Sequence, residues 1–206
     1  VGASASTVSI SAIVEGRLVK VWNGSAFVTQ YSRNPSWILR DLLTDSQYGA
    51  GLAENLMDDD AFKTFATRCD AQIDIGGGTL DARYTLDIIF DQKRPLLEWI
   101  KEILDSVRAL LIFKDGKLGP LGMNSTETVV QTFTTDEILQ ESSGESSMRI
   151  SKPPEDQWPN QVTVVYNDSA RDYVPVEAIR DDLLEQDRRG LVNHTVRALG
   201  IVREHQ

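Results

Sequence analysis

The chain has 206 residues, of which 41% are hydrophobic and 25% charged, the balance of an ordinary folded protein. Its formal charge of −10 argues against a binder that grips nucleic-acid phosphates through clustered Lys and Arg. No window approaches the roughly 18 apolar residues of a membrane-crossing helix. The start, Val1 to Thr7, has neither a basic nor an apolar signal region. It begins at Val1 rather than Met, which fits a processed chain or an internal fragment.

Val8 to Val21 is rich in β-branched residues around Glu15-Gly16-Arg17 and reads as strand, turn and strand. Asn23-Gly24 is a hairpin turn dipeptide, with Ala26 to Thr29 as the returning strand. Asn34-Pro35 then opens a helix, because Asn caps free N–H groups and Pro suits the first helical position. Trp37, Ile38, Leu39 and Leu42 give this helix an apolar face, and Tyr48-Gly49-Ala50-Gly51 ends it in a loop.

A second helix is expected from Asp59 to Ala71, capped by Asp58, with Phe62, Phe65, Ala66 and Cys69 at helical spacing. Gly76-Gly77-Gly78 reads as a flexible break, and the alternation from Arg83 to Phe90 as a half-buried strand. Pro95 to Ala109 is the clearest helix, with a stripe of Leu96, Leu97, Ile100, Ile103, Leu104 and Val107. Leu110 to Phe113, Asp115-Gly116 and Lys117 to Met123 complete a strand, turn and strand.

Beyond Met123 the character changes. Val129 to Phe133 reads as a strand, Thr134 to Glu137 as a turn or short helix, and Glu141 to Ser147 as a loop. Pro153 to Pro159 is an extended connection, since a residue before proline is pushed out of the helical region. Val162 to Tyr166 is a strand, Val176 to Gln186 reads as helical, and Leu191 to Val202 as largely strand. The fold class expected is α+β, with a strand-helix-hairpin unit and β-rich, partly barrel-like segments. Three stretches are distinguished: a β-rich segment over 1–33, an α+β domain over 34–123 and a β-rich domain over 124–206.

Few residues invite a chemical reading. Asp58-Asp59-Asp60 lacks the alternating oxygen ligands, glycine and distal Glu of a calcium loop, and fits helix capping better. Gly76–Gly78 lacks the Lys-Ser/Thr of a phosphate loop. His194 and His205 are the two histidines, and no nucleophile-elbow serine accompanies them. The lone Cys69 allows no internal disulfide and reads as a small core residue. Trp22, Trp37, Trp99 and Trp158 lie on separate elements, which favours anchors over a stacking platform. No catalytic, cofactor-binding or metal-ligating residue is assigned, and no enzyme activity is expected.

The specific signal is the run from Tyr31 to Gly51, containing Asn34-Pro35-Ser36-Trp37, Asp41-Leu42-Leu43-Thr44 and Tyr48-Gly49-Ala50-Gly51. It resembles a segment of the lambda-like tip-attachment, or host-specificity, proteins of long non-contractile phage tails. Val19 to Gly24, Arg83 to Asp87 followed by Pro95 to Lys117, and Asn160 to Asp168 are similar to further blocks of that family, in the same order. Gly-rich Ile75–Thr79 departs from it. Ala198 to Gln206 resembles the start of a helix that the family continues, so the resemblance implies an internal fragment, incomplete at its C-terminal end.

What the resemblance implies is a structural part of a tail-tip hub. Such a hub is a homotrimer in the virion, closes the tail tube, joins baseplate and tail-tube proteins to the central fibre, and lets DNA pass without specific binding. An acidic lumen would follow from the charge of the monomer. Synthesis would be in the bacterial host cytoplasm, from a phage or prophage. The competing readings are a cell-wall-degrading, glycosidase-like domain, or a receptor- or sugar-binding module. In the structural reading Trp37, Leu42 and Leu43 are anchors.

Overall fold

The computed structural model describes residues 12, 14–123, 132–134, 137–138, 151–152 and 154–206. Four α-helices and four small sheets mix along the described residues, so the α+β class holds. Three sheets are two-stranded hairpins and the fourth has three strands, and none of them closes into a barrel.

The first hairpin joins β1 (Val19–Trp22) to β2 (Phe27–Gln30), with Trp22 opposite Phe27. Gly24 takes φ +102 in its turn, and the Asn23 side chain accepts the N–H of Ala26 at 2.9 Å. Of the strand expected before it, which starts at Val8, residues 8–11 and 13 lie outside the described residues.

Helix α1 (Pro35–Thr44) starts as the sequence requires: Asn34 Oδ1 accepts the N–H of Ser36 at 2.9 Å, and Pro35 fills the first helical position. It is more enclosed than one apolar face implies. Trp37, Leu39, Leu42 and Leu43 are buried, but so are Ser36 and Arg40 on the remaining sides. Ser36 Oγ donates to the Phe62 carbonyl at 2.7 Å, which satisfies a hydroxyl that would otherwise be costly to bury. The loop after α1 folds back so that Ala50 N–H meets the Leu42 carbonyl at 2.8 Å. A side chain at Gly49 would collide with the Leu42 and Asp45 carbonyls, and Gly51 sits at φ +65, so both glycines of the Tyr48–Gly51 motif are dictated by backbone geometry.

Helix α2 (Asp59–Asp70) is capped by Asp58, whose Oδ1 accepts the Ala61 N–H at 3.1 Å. The next hairpin is β3 (Gln72–Asp74) with β4 (Leu80–Ala82). The glycine run expected as a flexible break is the turn of this hairpin: Gly76, Gly77 and Gly78 all have positive φ, which glycine adopts without a Cβ penalty.

The strand expected over Arg83 to Phe90 does not form. This stretch has no partner strand among the described residues; its amides bond one at a time to scattered carbonyls, Tyr84 to Cys69 and Leu86 to Arg33. The alternation in its sequence is nevertheless used, because Tyr84 and Leu86 are buried while Thr85 between them meets Gln206.

Helix α3 (Leu96–Ser106) is shorter than its pattern suggests, since Arg108 turns to φ +52 beyond its end. Ile100, Ile103, Leu104 and Trp99 are buried, whereas Leu97 is 75% exposed and leaves the expected stripe. Strand β5 (Ala109–Lys114) then pairs with β6 (Lys117–Gly122). Asp115 and Gly116 both have positive φ, as a two-residue hairpin turn demands. Helix α2 runs beside β6, where Gly119 leaves room for Ala61.

The core gathers Val19 and Val21 of β1, Trp37, Leu39 and Leu43 of α1, Phe62, Phe65 and Cys69 of α2, and Ile100 and Leu104 of α3. A satellite of Leu42, Leu86 and Ile103 lies beside it.

Val129–Gln131 and Glu141–Ser147 lie outside the described residues, while 132–134 form no strand. The turn at Thr134 is present, with Glu137 Oε2 accepting its N–H at 2.8 Å. The proline-rich connection contains a short 3-10 turn over Glu155–Gln157. Strand β7 (Gln161–Asp168) follows, flanked by β8 (Val174–Asp181), antiparallel, and β9 (Asn193–Arg197), parallel.

The helix expected over Val176 to Gln186 is thus mostly strand β8, and α4 (Leu183–Arg189) begins only after it. Residues Ala198 to Gln206, expected to enter a helix, form turns instead.

Candidate functional site

Most of the residues singled out for chemistry are engaged in holding the fold. Of the acidic run, Asp58 caps α2, Asp59 meets Arg40 at 3.1 Å and Asp60 meets Lys63 at 3.1 Å. No group of three or more His, Cys, Asp or Glu is arranged to hold a metal ion among the described residues. His194 lies on β9, exposed, opposite Val162. His205 is elsewhere, its Nε2 3.1 Å from the Ala82 carbonyl; a carbonyl only accepts, so that nitrogen carries the proton. Cys69 is fully buried, and burial pushes its thiol up to about 12, away from the reactive thiolate.

Three of the four tryptophans anchor packing. Trp37 is 4% exposed and meets Phe27 edge-on at 6.0 Å; Trp22 meets the same ring at 5.3 Å. Trp99 is buried, with Phe90 edge-on at 4.9 Å and the Arg94 guanidinium stacked 3.4 Å above its ring. Arg94 also binds Glu102 through two bonds of 2.5 and 2.6 Å, which holds the Glu102 carboxyl below its ordinary range. Trp158 is the exception at 43% exposure.

Arg40 is the most enclosed charge, 2% exposed, lying 4.4 Å over the Phe27 ring and paired with Asp59 and Glu54. A buried guanidinium is tolerated when its donors are engaged in this way.

The polar constellation that sequence reasoning missed is centred on Asp87. Its Oδ1 accepts Arg33 Nε and its Oδ2 accepts Arg33 Nη2, each at 2.7 Å, and Tyr173 Oη donates to the same Oδ2 at 3.0 Å. The bond with Asp87 raises Arg33, and burial together with the Asp87 carboxylate raises Tyr173, so both remain protonated donors. Tyr173 comes from the turn between β7 and β8, so Asp87 ties the N-terminal elements to the three-stranded sheet.

Related ties run along the same stretch. Asp81 pairs with Arg203, Thr85 Oγ1 accepts Gln206 Nε2 at 2.7 Å, and the Gly200 carbonyl accepts the Asp87 N–H at 2.9 Å. Between α3 and the sheet these ties leave a cavity of about 540 Å³, its rim carrying Glu102, Asp105, Arg108, Arg180 and Arg197. Leu110, Phe113 and Leu121 of the β5–β6 hairpin, and Met123 just beyond it, are exposed.

Asn160 is a second centre missed as such, although it opens the Asn160–Asp168 block. Its Nδ2 donates to the Gly190 carbonyl at 2.7 Å, its Oδ1 accepts the Val192 N–H at 2.8 Å, and its carbonyl accepts the Asp182 N–H at 2.9 Å. One buried residue thereby closes the α4 connection between the outer strands.

No family model matches the chain. The chain is similar to the tip attachment protein J of Escherichia phage SECphi27, 24% identical over 120 residues. That match covers 57% of this chain and 10% of the phage protein, so the chain spans about a tenth of the length of the curated relative it matches. The likeness supports a relationship to phage tail-tip proteins.

Proposed function

We propose that this chain is a structural segment of a phage or prophage tail tip, within the central hub that closes the tail tube and connects it to the central fibre. The likeness to a tip attachment protein carries this reading. The order of the resembling blocks supports it, as does the commitment of Asp58–Asp60, Arg40, Asp87 and Asn160 to packing and capping.

In this proposal the segment works as a homotrimer in the virion, with other tail-tip, baseplate and tail-tube proteins as partners. The charge of −10 gives the trimer an acidic character that repels the DNA backbone and lets it pass without specific contacts. The segment performs no catalysis. Incubating the purified chain with peptidoglycan tests this: no soluble fragments are expected, and their release would overturn the structural reading in favour of a cell-wall-acting one.

A further inference from the structure

The stretch from Asp81 to Asp87 lies between two bodies and is bonded to each in a different way. Towards the N-terminal elements it uses backbone amides, Arg83 to Ala71, Tyr84 to Cys69 and Leu86 to Arg33, together with the Asp87 carboxylate held by Arg33, and buries Tyr84 and Leu86. Towards the three-stranded sheet and its tail the partners are mainly side chains: Arg203 on Asp81, His205 on the Ala82 carbonyl, Gln206 on Thr85 and Tyr173 on Asp87, with one amide bond, Asp87 to Gly200. The tail 198–206 travels with the sheet, since Ala198 N–H bonds to Val165 and the Val202 carbonyl accepts Ser169 N–H.

Among the described residues the strands of this sheet make no broad contact with the helices of the N-terminal part, and the cavity of about 540 Å³ lies between them. The junction also holds strain. Asp172 and Tyr173 both have positive φ, at 53° and 60°, a conformation costly for a bulky residue and kept only where its surroundings enforce it. From this strained turn, the Tyr173 Oη bond to Asp87 reaches across to the N-terminal part.

We propose that β7, β8, β9 and the tail form a latched module that swings off the N-terminal part as a body, with Asp87 as its latch. Opening breaks a few side-chain bonds and one amide bond while leaving the sheet ladder and the α1–α2 core intact. Its free energy therefore lies below that of global unfolding, as for other cooperative local openings.

Amide hydrogen exchange on the whole chain tests this, comparing the native protein with D87N and Y173F. In the native protein the Asp87 amide should exchange faster than Phe62 in α2 and than Ala198, which bonds within the module. In D87N the Asp87 amide should exchange at least about tenfold faster, and in Y173F by a smaller factor, with Phe62 and Ala198 at native rates. If D87N does not fold, Y173F and the native ordering decide. An Asp87 amide that exchanges in step with Phe62 and Ala198, or that ignores the substitutions, would overturn the proposal.

Discussion

Asn34 donates its side-chain amide to the carbonyl of Ala66 at 3.0 Å while its other atom caps α1. One buried residue thus fixes both the start of α1 and its crossing with α2. Ser36 repeats the link one turn away through the Phe62 carbonyl. The chemistry of a cap is here also the bolt between two helices, which explains how a short helix carrying Ser36 and Arg40 can be almost wholly enclosed.

Trp37 of the same helix is buried in the core, edge-on to Phe27. Trp37→Ala should destabilise the chain by about 3–5 kcal/mol, the range for removing a buried aromatic side chain. Chemical denaturation, read as a shift in midpoint at constant slope, checks it. An unchanged midpoint would mean that the ring contributes no packing.

Asn160→Ala removes two side-chain bonds, from Nδ2 to the Gly190 carbonyl and from the Val192 N–H to Oδ1. The expected loss is about 1–3 kcal/mol, roughly 1 kcal/mol per bond. Asn160→Asp keeps the acceptor but loses the donor, so it should fall between the native protein and the alanine variant. Thermal melting of the three proteins gives the order.

Glu102 titrates lower in the folded chain than in the unfolded one, chiefly because Arg94 hydrogen-bonds its carboxylate. The folded state therefore holds fewer protons on this group. Its contribution to stability is complete above the ordinary value of 4.5 and is lost as pH falls through the lowered folded value. Glu102→Gln should flatten the acid limb of the stability profile below that value and leave its slope near neutrality unchanged.

Cys69 is both fully buried and held as a thiol. A thiol-reactive dye at pH 8 should label it only through unfolding, with a rate that rises with denaturant in parallel with loss of helical signal. Rapid labelling of the native protein would show that α2 does not pack as described.

Much of the fold was legible because local rules agreed with tertiary ones. Asn34-Pro35, Asp58, Asn23-Gly24 and Asp115-Gly116 each announce a boundary that the structure keeps. The misreadings arose where a distant partner decided. Glu177, Ala178 and Arg180 suit a helix, yet β8 takes them because all eight of its residues find partners on β7. Arg83 to Phe90 alternates like a strand, but its two faces answer to two bodies and not to a ladder. The Asp87 cluster was invisible for the same reason: Arg33 and Tyr173 stand far from it in the chain, and no local spacing marks the meeting.

In the proposed role this chain is built into the tail tip as a structural part. Quantitative mass spectrometry of tails purified from particles that encode it tests this most directly. Its peptides are expected in the tail-tip fraction at three copies per tail. Their absence from purified tails, with the chain found free in the lysate, would contradict it.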